Sequence, residues 1–124
     1  LTEHHAAGMS RHVPWLSELF FGHFAEIGPE MAQKLGINNG DMITVETPRG
    51  KIKVRAMVTE RIKSFVINGQ KVYQVGIPWH WGYQGVMKSS RGAITNDLVA
   101  SLGDPTTFIQ ESKALLCNVR KGVA

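Results

Sequence analysis

Lys51-Ile52-Lys53-Val54-Arg55-Ala56-Met57-Val58 decides the fold class, because its hydrophobic period is two. Lys51, Lys53 and Arg55 fall on one face, while Ile52, Val54, Ala56 and Val58 fall on the other. Successive side chains of a strand point to opposite faces, so this alternation predicts a strand with one wet face and one core face. Just upstream, Ile43 and Val45 alternate with Thr44 and Glu46, and Pro48-Arg49-Gly50 reads as the turn between two strands. Asn39-Gly40-Asp41 turns the chain before them. Gly28-Pro29-Glu30-Met31-Ala32-Gln33-Lys34-Leu35-Gly36 predicts a short helix: Pro stands first, an acid in the first turn, Lys in the last, and Gly just past the end. Further upstream, Phe24-Ala25-Glu26-Ile27 alternates like a short strand, and residues 15–21 suggest one or two helical turns. The first fourteen residues have no usable periodicity.

Downstream, Val66-Ile67-Asn68-Gly69-Gln70-Lys71-Val72 carries the Asn-Gly pair of a tight hairpin. Residues 73–77 continue as a strand into Pro78, residues 96–101 suggest a helical turn, and residues 114–119 predict a closing strand. Short strands, turn signals and one small helix argue for a mostly-β barrel. A length of 124 residues suits a single domain, here 1–124. Hydrophobic residues at 43% and charged residues at 19% exclude general disorder. No apolar run approaches the roughly 20 residues that cross a bilayer, so no direct membrane insertion is expected. The net charge of +4 suits an anionic ligand but falls short of a nucleic-acid footprint. A row of Lys and Arg on a strand is an ordinary way to solvate a sheet face, and the aromatics do not interleave with it as base stacking requires.

Several residues invite chemistry. His4, His5, His12 and His23 lie near one another, yet no pair has helical metal-ligand spacing, and polar loop histidines that meet a partner or solvent are the simpler reading. Cys117, flanked by Leu115 and Val119 at period two, reads as a buried structural thiol, since a thiolate needs positive surroundings. Pro78-Trp79-His80-Trp81-Gly82-Tyr83-Gln84-Gly85 packs three aromatics, a His and two glycines into eight residues, which marks either a packed corner or a ligand wall.

The order of the motifs is informative. Thr2-Glu3-His4-His5 leads to Gly8-Met9-Ser10-Arg11; Gly36-Ile37-Asn38-Asn39-Gly40-Asp41 precedes a strand; then come Arg49-Gly50, Ile77-Pro78-Trp79-His80-Trp81-Gly82, Asn96-Asp97-Leu98, Gly103-Asp104-Pro105 and Gln110-Glu111-Ser112-Lys113. Over nearly its whole length the chain resembles the C-terminal molybdopterin-dinucleotide-binding domain of the large subunit of molybdenum- or tungsten-dependent formate dehydrogenases. That resemblance implies a six-stranded double-psi β-barrel with a few short helices, forming the C-terminal piece of a longer chain. It implies a bis(molybdopterin guanine dinucleotide) cofactor with Mo or W, shared with the remaining domains of the parent subunit. Iron–sulfur electron-transfer subunits are the implied further partners, and no nucleic acid is.

The residues that match the family's cofactor-facing positions are Thr2, Glu3, His4, His5, Ala6 and Ala7, continued by Gly8, Met9, Ser10 and Arg11. A second loop matches at Trp79, His80, Trp81 and Gly82, and single positions match at Asn96 and Lys113. Ala6 and Ala7 stand where respiratory nitrate reductases carry larger residues, so these two are expected to act through backbone alone. Within that frame Lys113 offers a point charge, Asn96 a donor–acceptor pair, and Glu3 an acceptor for amino groups. The metal's protein ligand and the redox residues are expected in another domain, so no catalytic or metal-ligating residue is assigned here. The other readings are a free-standing double-psi barrel that binds protein or nucleic acid, and a small self-sufficient enzyme, for which no catalytic constellation is found.

Overall fold

A computed structural model of the chain describes residues 9–19, 22–82, 92–112 and 114–122. The alternating stretch is strand β3 (Lys51–Val58), with Ile52, Val54 and Ala56 buried and Lys51, Lys53 and Arg55 exposed. Around it run β1 (Phe24–Ile27), β2 (Met42–Glu46), β6 (Val75–Gly76) and β7 (Asn118–Lys121), in the sheet order β6-β1-β3-β2-β7. β1 runs parallel to β3, with Phe24 opposite Arg55 and Ile27 opposite Val58; the other ladders of this sheet are antiparallel. β4 (Phe65–Ile67) and β5 (Gln70–Val72) form a separate hairpin whose Asn68 and Gly69 have φ of 48° and 77°. Two left-handed residues in a row are what a twist-matched two-residue turn requires.

Helix α1 (Pro14–Leu19) precedes the sheet, and its Trp15 and Leu19 are exposed. Helix α2 (Pro29–Leu35) packs Met31 and Ala32 into the core beside Ile27, Ile43, Val45, Val54, Leu98 and Val119. Its C-terminus is closed by Gly36 at φ 63°, whose N–H bonds back into the last turn, while Ile37 N–H reaches the Ala32 carbonyl and its side chain is buried. The next residues join helix to sheet. Asn39 Oδ1 accepts from Val58 N–H, Gly40 N–H donates to the Ala56 carbonyl, and Lys121 pairs with Asp41 at 3.0 Å. The Gly-Ile-Asn-Asn-Gly-Asp segment is thus a structural joint between α2, β3 and β7.

The structure departs from the sequence expectation at three strands. β1 alternates in sequence, yet all four of its residues are buried: Ala25 and Ile27 lie in the core, and Phe24 and Glu26 on the other face are buried as well. Its Glu26 is offset by Arg61, whose guanidinium lies 3.0 Å from Oε1; a buried carboxylate stripped of that partner would be costly. The strand expected over 73–77 shrinks to β6, which starts at Val75 opposite Ile27, the last residue of β1, and stops short of Pro78, which has no N–H to continue a ladder. The closing strand begins at Asn118 rather than at 114, because β2, its partner among the described residues, ends at Glu46 opposite Asn118. Leu115, Leu116 and Cys117 are therefore exposed, which corrects the expectation of a buried thiol.

Val54 is buried in mid-sheet and Lys53 beside it is exposed. Val54→Ala is expected to lower stability by about 2 kcal/mol through lost burial and a residual cavity, whereas Lys53→Ala should change it by less than about 0.5 kcal/mol. Urea unfolding of both variants checks this, and equal losses would contradict the assignment of faces.

Candidate functional site

The β1–β6 ladder sets Ile27 opposite Val75 and Glu26 opposite Gly76. Followed three residues outward along each strand, that register brings His23, just before β1, to the chain just beyond β6. There the His23 Nε2–H donates to the Pro78 carbonyl at 2.8 Å. Thr95 Oγ1 donates to the same carbonyl at 2.9 Å and lies 3.2 Å from His23 Nε2. A carbonyl only accepts, so this network assigns the ring proton to Nε2. Burial pushes the His23 pKa down and outweighs the opposing effect of the Pro78 bond, so the ring is neutral near pH 7. Nδ1 then presents a lone pair, buried and without a partner among the described residues.

His23 also stacks on Trp81, with centroids 4.9 Å apart and planes 12° from parallel. Gly92 closes on this pair so tightly that a Cβ there would sit 2.8 Å from Trp81 Cδ1 and 2.9 Å from His23 Cβ. Trp81 is consequently buried, while Trp79 and His80 are exposed, their rings 4.9 Å apart and tilted by 55°. His80 has φ 73° and Gly82 φ 90°. A non-glycine residue in the left-handed region carries a cost of roughly 1–3 kcal/mol and persists where its surroundings impose it. Here Pro78 is pinned on one side and Trp81 on the other.

Asn96 lies within the 3₁₀ helix Thr95–Leu98, not at its cap: the cap position is Ile94, and no side-chain cap bond forms. The helix is held from within by buried Leu98, whose carbonyl accepts from Thr47 Oγ1 at 2.9 Å, leaving Asn96 exposed. The Thr95–Pro78 bond therefore places the Asn96 helix directly beside the 79–82 loop.

Among the sequence-derived candidates, Trp79, His80, Trp81, Gly82 and Asn96 are brought together. Met9–Arg11 forms a 3₁₀ turn before α1, with Met9 exposed and Ser10 buried. Thr2, Glu3, His4, His5, Ala6, Ala7, Gly8 and Lys113 lie outside the described residues. Two residues that organise the site, His23 and Thr95, were not among the candidates. His23 is no solvated loop histidine; its place one residue before a buried strand is the signal that could have separated it from the others. Among the described residues there is no cluster of three metal-ligating side chains. A groove of about 420 Å³, lined in part by Pro29, Ile62, Ser64 and Tyr73, contains none of the candidates.

Residues 1–116 match the family described as Molydopterin dinucleotide binding domain, and the chain belongs to that family. It is 45% identical to the formate dehydrogenase subunit alpha of Megalodesulfovibrio gigas over 98% of this chain and 12% of that protein. It is 47% identical to the formate dehydrogenase-O major subunit of Escherichia coli over 79% of this chain and 9% of that one. The chain thus spans about a tenth of the length of these relatives. Its fold is similar to that of acetylene hydratase from Pelobacter acetylenicus, with a TM-score of 0.64, 20% identity, and coverage of 90% of this chain and 16% of that one.

Because the folded-state pKa of His23 lies below its ordinary 6.5, the unfolded chain takes up the proton more readily. The stability tied to neutral His23 is fully present above about pH 6.5 and is lost as pH falls through the folded value. The melting temperature of the native chain is expected to drop more steeply between about pH 7 and pH 5 than that of His23→Gln. The lowered carboxylates of Glu30, Asp41 and Asp104 act in both proteins and cancel in the comparison. Parallel curves would show that His23 does not titrate as its burial dictates.

Proposed function

We propose that this chain binds and orients a bis(molybdopterin guanine dinucleotide) cofactor, carrying Mo or W, as the C-terminal domain of a formate dehydrogenase large subunit. The observation that carries the reading is the union of the exposed Trp79 and His80 with the exposed Asn96 on one buried scaffold. Such a surface fits a polar heteroaromatic group. Ring faces supply stacking, the Asn96 amide supplies a donor and an acceptor, and the backbone at His80 and Gly82 is left-handed and outside any ladder. In this reading Thr2, Glu3, His4, His5, Ala6, Ala7, Gly8, Met9, Ser10 and Arg11 line the same cofactor, and Lys113 adds a positive charge toward its phosphates.

When bound, the cofactor supplies the redox chemistry of formate oxidation to CO2. The chain's own part is to hold and orient it and to keep water from one side. Cys117 takes no step: it is exposed and its thiol pKa is raised by partial desolvation, the opposite of an activated thiolate. The five-stranded sheet is read as part of a six-stranded double-psi β-barrel. The run from 102 to 116 exposes Leu102, Phe108, Ile109, Leu115 and Leu116. So much apolar surface on one segment supports a domain covered by the rest of its subunit, with iron–sulfur electron-transfer subunits beyond.

The full-length subunit provides the test. Lys113→Ala should remove a charge-assisted contact worth roughly 1.5–3 kcal/mol, so that cofactor content and formate turnover fall together. Asn96→Ala should do the same, since Asn96 caps no helix whose loss could explain the effect. Lys51→Ala, on the exposed face of β3, should change neither. Full cofactor content with normal turnover in both site variants would remove the assignment.

A further inference from the structure

We infer that His23 and Thr95 are positioning residues that fix the cofactor-facing loop and the Asn96 helix as one rigid unit through the Pro78 carbonyl. This inference rests on the reading that residues 79–82 and Asn96 hold the cofactor.

A backbone carbonyl has two lone pairs, and Pro78 receives one donor from before β1 and one from the 3₁₀ helix, at 2.8 and 2.9 Å. The trans peptide is planar, so fixing the direction of the Pro78 C=O also fixes the Trp79 N–H, which points the opposite way. The loop is then held a second time, two residues further on, by the stack of His23 on Trp81. Between these points lies His80 in its left-handed conformation. With Pro78 and Trp81 both buried against His23, Trp79 and His80 are left on the outer side. The hydroxyl that pins Pro78 belongs to the residue directly before Asn96, so that hydrogen bond ties the two ligand-facing pieces together, beside the close approach of Gly82 to Ile94.

Neither residue needs to touch the cofactor. His23 contributes a ring N–H and a flat apolar face, and Thr95 contributes one hydroxyl. The pairing explains why an energetically unfavourable backbone at His80 is kept: the strain is balanced by one buried and one half-buried bond to a single acceptor and by one ring stack.

The experiment uses the full-length cofactor-loaded subunit, with Thr95→Val removing the donor at constant volume and Thr95→Ser restoring it. Two quantities are read: hydrogen exchange of the amides in residues 79–82, and pterin content after gel filtration, measured by fluorescence of the oxidised pterin. In Thr95→Val, exchange of those amides should rise about ten-fold, the loss of roughly one hydrogen bond, and pterin content should fall. Thr95→Ser should return both to native values, a rescue that a general packing defect would not show. His23→Phe, which keeps a stacking ring but has no N–H, provides the second variant should Thr95→Val not fold, and should behave as Thr95→Val does. Val54→Ala serves as a control that lowers global stability and leaves exchange of residues 79–82 unaccelerated. Unchanged exchange and pterin content in Thr95→Val and His23→Phe would overturn the inference. If Trp79→Ala and Asn96→Ala lose pterin while Thr95→Val keeps it, the inference alone falls. If Trp79→Ala and Asn96→Ala both keep full pterin, the cofactor reading itself is what fails.

Discussion

The register between β1 and β6 is the constraint on which the candidate site depends. Two pairs define it, Glu26 with Gly76 and Ile27 with Val75. Because the strands are antiparallel, each residue stepped back from β1 meets one stepped forward from β6, and His23 arrives opposite Trp79, within reach of the Pro78 carbonyl that precedes it. A shift by one residue would turn every side chain of β1 to its opposite face. That shift is opposed from both sides of the strand. Ala25 and Ile27 are fully buried in the core, and Glu26 on the other face is tied to Arg61. The core of the sheet and the geometry of the loop are therefore one problem rather than two.

From this frame the division of labour within the 79–82 loop follows. A loop with three aromatic rings must either bury them or offer them to something. Here the loop does both: Trp81 is buried against His23, whereas Trp79 and His80 are exposed. Aromatic side chains on an anchored loop present large contact area with little conformational entropy left to lose. The same economy applies at Asn96, which is carried on a helix of four residues, too short to stand alone but fixed by Leu98 beneath it and by Thr47 and Thr95 beside it.

Much of this was legible in the sequence where the signal is local. The period of two in β3, the Pro and Gly bracketing α2 and the Asn-Gly hairpin each rest on a few adjacent residues, and each is found in the structure. What was not legible depends on pairing. Residues 114–117 look like a strand by composition, but a strand needs a neighbour, and β2 has already ended. The full burial of β1 is not legible from its alternation, because alternation reports polarity and not what covers Phe24 and Glu26 in the fold. The motif order led to the 79–82 loop and to Asn96, whereas His23 and Thr95 stayed hidden: a His 55 residues from its partner carbonyl leaves no local trace.

The central claim is that the 79–82 loop and Asn96 face one ligand, the pterin dinucleotide, from a scaffold that His23 and Thr95 hold. A structure of the full subunit with its cofactor bound measures this directly. The expected result is that the side chains of Asn96 and of Trp79 or His80 lie within about 4 Å of the same pterin dinucleotide, with both donors still on the Pro78 carbonyl. A cofactor seated instead in the groove beside Ser64 and Tyr73, or against the Lys51, Lys53 and Arg55 face, with Trp79 and Asn96 turned to solvent, would contradict it.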